Sequence, residues 1–228
     1  PDVMYAAFNH HKYGDFKPYI FKSSDKGKSW KMISNNLPER GSVYSIEEDH
    51  VDADLIFCGT EFGVFFSPNG GERWKQLKAG VPTIAVRDLA IQRRENDIVL
   101  GTFGRGFFIL DDYSALRSVE NPEPEVSAKL FAVRPALMWE KSNPLGLPGK
   151  AFQGDNFYSA ENLGPEALIT FLYNEEHKSL KDQRKEKDKE ATKEAKDSRY
   201  PTYEELKAEN DELPTQLIFT ISDQNGKV

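Results

Sequence analysis

Two copies of one short signature constrain this chain more than any other feature: Ser23-Ser24-Asp25-Lys26-Gly27-Lys28-Ser29-Trp30 and Ser67-Pro68-Asn69-Gly70-Gly71-Glu72-Arg73-Trp74. Both read S-x-[D/N]-x-G-x-x-W, with Asp25 and Asn69 standing 44 positions apart. A period of that size, filled with short strands, points to the blades of a β-propeller.

The repeat reaches beyond the signature. Acid-led apolar runs precede it at Asp2–Ala7 and Asp54–Gly59, and a third run stands at Asp97–Gly101, with Asp54 and Asp97 separated by 43 positions. Asp2 and Asp54 are separated by 52, and the surplus falls in the polar, turn-rich stretch Asn9–Pro18, read as a loop insertion. Second apolar runs follow at Tyr19–Phe21, Val64–Phe66 and Gly106–Leu110. In the third copy the signature has decayed: its acid survives as Asp112, its glycine becomes Ser114 and its tryptophan Arg117. Terminal units of repeat arrays often decay in this way.

β-branched and aromatic residues between Gly, Pro and Asn clusters give the strands. The second copy supplies Val43–Glu47, Leu55–Gly59, Val64–Ser67 and a fourth strand from Trp74. The third supplies Val86–Ile91, Ile98–Gly101 and Gly106–Leu110, with Lys129–Trp139 as a fourth strand interrupted at Pro135. The signature then occupies the turn between strands three and four. Its Asp or Asn accepts hydrogen bonds from turn amides, its Gly allows positive φ, and its Trp covers apolar area between sheets. Asn69 keeps the accepting oxygen without the charge, which fits a turn and not acid/base chemistry. Ser23, Asp25, Gly27, Trp30, Ser67, Asn69, Gly71 and Trp74 are therefore read as structural.

On these residues the chain resembles the Asp-box, or BNR-repeat, propellers. That group includes sialidases, sortilin-type receptors, xyloglucanase-like glycoside hydrolases and many secreted bacterial glycosyl-hydrolase-like proteins. Gly101–Asp112 (GTFGRGFFILDD) resembles the last-blade motif of the bacterial members, and the downstream region their C-terminal extension. The resemblance implies an extracellular or periplasmic setting, boxes that lie away from the ligand site, and an immunoglobulin-like or flagellar-hook-cap-like module after the propeller.

The chain has 228 residues, 30 basic and 37 acidic side chains, and a net charge of −7. No concentrated basic stripe marks a nucleic-acid partner. No apolar run reaches membrane-spanning length. The one cysteine, Cys58, sits in an apolar strand and reads as a buried thiol. No cofactor motif or complete metal motif is present, so none is expected. Pro1 falls inside a strand-two segment and Val228 follows the Asn225-Gly226 turn, so both ends read as cuts in a longer polypeptide, whose missing blades would be partners of these.

The repeat ends at about residue 142. Residues 143–165 are rich in Pro, Gly and Asn, as a linker or irregular segment would be, and 166–228 read as a truncated β-sandwich with a helical insertion at 175–211. Its strands are Ala167–Tyr173 and Leu217–Ile221. Residues Glu175–Arg199 carry 8 acidic and 9 basic side chains, and pairs such as Asp182 with Lys185 and Glu186 with Lys189 support a solvated helix. A second helix spans Tyr203–Asn210, with Thr202 and Glu205 as a capping box. The expected class is mainly β: a partial propeller of just under three four-stranded blades, then the sandwich-like segment.

Turns alternate between the two ends of a four-stranded blade, so ligand chemistry is sought opposite the boxes, where loops gather. That end carries His10, His11, Tyr13, Glu61, Phe62, Phe103 and Arg105, together with Asn35, Asn36, Glu39 and Arg40 from the blade-to-blade loop. Glu61 and Glu39 are the candidates for a hydrolytic carboxylate pair. His10 and His11 lack a third ligand at metal-binding spacing. Arg105, between two glycines, is placed to grip a carboxylate or to pair with Asp88, Asp111 or Asp112. The aromatic rings suit either sugar stacking or rim packing. The function expected is a non-catalytic glycan- or protein-binding propeller; the alternative is a glycoside hydrolase whose acids lie partly outside this chain.

Overall fold

The computed structural model describes residues 2–78, 80–119, 128–140, 164–174, 177–194 and 199–227. The chain divides into two compact units, residues 1–172 and 173–228. Three antiparallel sheets follow one another along the first unit. Strands β1 (Met4–His10), β2 (Asp15–Ser23) and β3 (Lys31–Met32) form the first. Strands β4 (Val43–Glu48), β5 (Ile56–Thr60), β6 (Gly63–Ser67) and β7 (Lys75–Leu77) form a complete four-stranded meander. The third contains β8 (Val86–Gln92), β9 (Asp97–Thr102) and β10 (Phe107–Leu110). The fold is mainly β, consistent with a partial propeller.

The middle sheet explains why its strands read as unbroken apolar runs. Side chains alternate across a strand, and here both faces are covered. Ile56, Cys58, Phe65 and Trp74 pack toward Ile20, Ile33 and Leu37 of the first sheet region. Leu55, Phe57, Val64 and Phe66 pack toward Val86, Leu89, Ile98 and Leu100 of the third. Every residue of β5 and β6 is buried in consequence. Burial also raises the pKa of the Cys58 thiol, so it stays protonated, as an inert core group does.

Several expectations change. The surplus residues 9–18 do not form a loose loop. They lengthen the β1–β2 hairpin, which pairs from Met4↔Ser23 to His10↔Asp15 around the single 3-10 turn His11–Tyr13. Residues 129–139 do not complete the third sheet. Only Ala128–Leu130 is a strand (β11), and it pairs with β12 (Phe171–Tyr173), the surviving part of the expected strand 167–173. Pro135 has no amide to donate to a ladder. The chain around it is instead tied to the third sheet by Arg134, which donates to the Glu95 carbonyl at 3.0 Å. Most of the expected linker, 143–163, lies outside the described residues.

In the second unit the helices are α1 (Leu180–Lys193) and α2 (Tyr203–Asp211). Thr202 and Glu205 form the expected capping box. The ion pairs differ from those expected: Glu186 pairs with Lys178 at 2.7 Å, and Asp182 receives the Ser179 hydroxyl at the helix cap. Leu217–Ile221 is exposed and forms no strand. An apolar run of this length becomes a strand only where a neighbouring edge accepts its ladder. The Asn225-Gly226 turn does close, with the Asp223 amide donating to the Lys227 carbonyl at 2.9 Å. Among the described residues no helix is long and apolar enough to cross a membrane.

Candidate functional site

The serine and Asp/Asn oxygens of the two boxes accept the same turn amides. Ser23 Oγ accepts the Gly27 amide at 2.9 Å, and Ser67 Oγ accepts the Gly71 amide at 2.9 Å. Asp25 Oδ1 accepts the Ser29 amide at 2.8 Å, and Asn69 Oδ1 accepts the Arg73 amide at 2.9 Å. Hydrogen bonds from the Ser29 hydroxyl and amide, then from Ser23, lower the Asp25 pKa to about 2. These oxygens are consumed by their own turns. The tryptophans part company: Trp74 is 3% exposed and donates to the Ile33 carbonyl of the preceding sheet at 2.7 Å, whereas Trp30 is 43% exposed and donates only to Gly27 within its own turn.

β6 separates the box from the opposite end of the sheet. It runs five residues from Gly63 to Ser67, or roughly 15 Å at the rise of an extended strand. At the Gly63 end lies a cavity of about 370 Å³, a volume in the range of small-ligand sites. His11 and Phe16 come from the long β1–β2 hairpin, and Arg40, Gly41 and Ser42 from the segment entering β4. Tyr44 comes from β4, Glu61 and Phe62 from the β5–β6 turn, and Arg87 from β8. Two backbone bonds hold these segments together: Gly41 N–H to the Phe16 carbonyl at 2.9 Å, and Glu61 N–H to the Ser42 carbonyl at 3.0 Å.

The charges inside are unequal. Arg87 lies 3.8 Å from the centroid of Tyr44 and 5.3 Å from that of Phe103, so its guanidinium is held by cation–π attraction and by the Tyr44 hydroxyl. Arg40 lies 5.3 Å from the Phe16 centroid. Among the described residues neither arginine forms an ion pair with a carboxylate. Among the described residues Glu61 is the only acid in the lining, and it accepts the Tyr44 hydroxyl. Burial, then the hydrogen bond and charge of Glu61, push the Tyr44 pKa up, against the opposing pull of Arg87.

The sequence candidates separate into groups. His11, Glu61 and Phe62 line the cavity, with Phe103 beside it, 5.3 Å from Arg87. Glu39 does not line it, so among the described residues no second carboxylate faces Glu61 there. His10 stacks on Tyr13 at 4.5 Å on the hairpin tip, outside the lining. Among the described residues no three His, Cys, Asp or Glu side chains gather as a metal site. Arg105 is exposed, outside the lining, and in no ion pair with Asp88, Asp111 or Asp112. Tyr44 and Arg87 belong to no motif, and sequence reasoning passes over them. A signal exists all the same: they stand 43 positions apart, at the same place in successive repeats.

The decayed third box has a different outcome from its relatives. Asp112 accepts the Ser114 hydroxyl at 2.6 Å and caps the 3-10 helix Tyr113–Ser118. Arg117, at the tryptophan position, reaches back to the fully buried Asp49 carboxylate with bonds of 2.7 and 2.9 Å. Tyr113 donates to the same carboxylate at 2.5 Å. Burial alone would raise the Asp49 pKa, but bonds from Arg117, Tyr113 and the Asp52 and Val51 amides hold it below the carboxylate range.

No protein-family model and no curated protein matches the chain. Among solved structures, an ancestral GH74 enzyme is similar at 22% identity, with a TM-score of 0.37, over 44% of this chain and 12% of that enzyme. The chain thus spans about an eighth of the length of that relative.

Proposed function

We propose that this chain is a non-catalytic, glycan-binding part of an Asp-box-type β-propeller, working outside the cytoplasm. The reading rests on one observation: the cavity opposite the boxes presents partly exposed rings and two guanidiniums but a single carboxylate. Exposed rings such as Phe16 and Phe62 offer apolar faces to sugar rings. Glycoside hydrolysis ordinarily needs two carboxylates about 5–10 Å apart, and the described lining supplies only Glu61. The secreted setting and the box family rest on the resemblance of the sequence motifs.

The test is a glycan array and a polysaccharide-hydrolysis screen on the 228-residue chain and on the longest available form of its polypeptide. Binding without sugar release is the expected result. Sugar release abolished by Glu61→Gln would overturn the non-catalytic reading. Selective binding of peptides in place of glycans would replace the ligand class.

A further inference from the structure

We infer that the glycan taken by this cavity is acidic, with a sugar carboxylate held between Arg40 and Arg87. This rests on the glycan-binding reading above and adds the ligand's charge. Two guanidiniums from different segments line one cavity, and neither is neutralised by an ion pair among the described residues. Each lies beside an aromatic ring, Arg40 at 5.3 Å from Phe16 and Arg87 at 3.8 Å from Tyr44. A guanidinium set over a ring keeps N–H groups with which it can bind a carboxylate. Arg40 keeps them all for a ligand, while Arg87 also reaches the Tyr44 hydroxyl.

Glu61 works against an anion, since its charge offsets one arginine. Its acceptance of the Tyr44 hydroxyl engages part of that charge. The lining therefore carries a surplus of one positive charge before His11 is counted. The surplus is local. The chain as a whole carries −7, so it is not a general sink for polyanions.

The experiment measures binding of the 228-residue chain to oligogalacturonate and hyaluronan, to methyl-esterified galacturonan, to xyloglucan and to dextran sulfate, at low and physiological salt. The uronate oligomers are expected to bind about tenfold or more tighter than the esterified and neutral ones, the size of effect a charge-assisted contact gives. Arg40→Ala and Arg87→Ala should each remove most of that preference, and Arg87→Lys, which keeps charge but loses the fork, should fall between. Glu61→Gln should tighten uronate binding a few-fold. Unchanged unfolding midpoints for the arginine variants assign the loss to the ligand.

Equal binding of neutral and acidic glycans, or uronate binding untouched by both arginine variants, overturns the inference and leaves glycan binding standing. Dextran sulfate bound as tightly as uronate overturns it in favour of general charge attraction. Binding of no glycan, or of acidic peptides alone, overturns both readings.

Discussion

Gly71 meets two demands at once. Its φ is +92°, in the left-handed region, and a Cβ there would come within 2.6 Å of Ile33 Cδ1 in the neighbouring sheet. Gly104 shares the positive φ, at +83°, but has open space where a Cβ would go. Gly71→Ala should therefore cost about 2–4 kcal/mol, backbone strain plus overpacking, and Gly104→Ala about 1 kcal/mol, strain alone. Urea unfolding midpoints check the pair, and equal losses would show that contact with Ile33 is unimportant. The two box oxygens make a second residue-scale contrast. Asp25 has its pKa lowered from 3.8 to about 2, while Asn69 cannot titrate. A carboxylate held below its unfolded value stabilises the fold above the unfolded pKa and loses that contribution as pH falls through the folded one. Stability carried by Asp25 should thus fade between about pH 4 and pH 2, and Asp25→Asn should remove that part of the acid sensitivity. Thermal unfolding across that window, with wild-type and variant falling in parallel, would refute it. At this scale the box chemistry was legible because it is local: each oxygen serves amides of its own turn. The cavity was half legible. Glu61, Phe62 and His11 followed from counting turns, but Tyr44 and Arg87 are brought together by sheets stacked across the chain, visible only by comparing equal positions in the repeat.

Among elements, the third box shows one job done by different chemistry. In the second copy Trp74 joins its sheet to the preceding one through apolar burial and one hydrogen bond to Ile33. In the third, Tyr113 packs edge-on to Phe57 at 5.1 Å, and Arg117 and Tyr113 together satisfy the buried Asp49. A turn has become a 3-10 helix, and its link to the preceding sheet has become an ion pair. Arg117→Ala leaves a buried carboxylate short of its counter-charge, a kind of loss that costs about 3–5 kcal/mol. Arg117→Ala combined with Asp49→Asn should recover part of it. A double variant no more stable than the single one would contradict the assignment. Strands were legible where both faces are buried, as in β5 and β6, because the apolar run is then forced. They were misread where the run depends on a partner. Residues 129–139 and 217–221 have strand-like composition, but their fates turn on which edge is available, and that is a long-range property. The 9–18 stretch misled for the opposite reason: polar, turn-rich residues can extend a hairpin that projects beyond the core, where alternation no longer reports burial.

Across the whole molecule, stability is unevenly shared. Both apolar cores of the described residues lie in residues 1–172, whereas neither α1 nor α2 contains a buried residue. The helices are held by their caps and by charge pairs, notably Arg184 with Glu209 at 2.5 Å and Lys178 with Glu186 at 2.7 Å. Helices of this length are marginal without an apolar face to bury, and the exposed Lys178–Glu186 pair weakens as salt shortens the screening length. The units also carry separate reporters. All three tryptophans stand in residues 1–172, and both α-helices of the described residues stand in 173–228. On heating, the helical circular dichroism signal at 222 nm should decay before tryptophan fluorescence changes. Raising salt from about 0.05 M to about 1 M, which cuts the screening length several-fold, should move the helical transition down by several degrees and leave the fluorescence transition nearly in place. Lys178→Ala should reproduce part of the salt effect at low salt, because the Lys178–Glu186 pair it removes is exposed and salt weakens it, whereas the part-buried Arg184–Glu209 pair should resist salt. Coincident transitions at every salt concentration would mean that the two units unfold as one cooperative body, and that the helices do not depend on their charge pairs for stability.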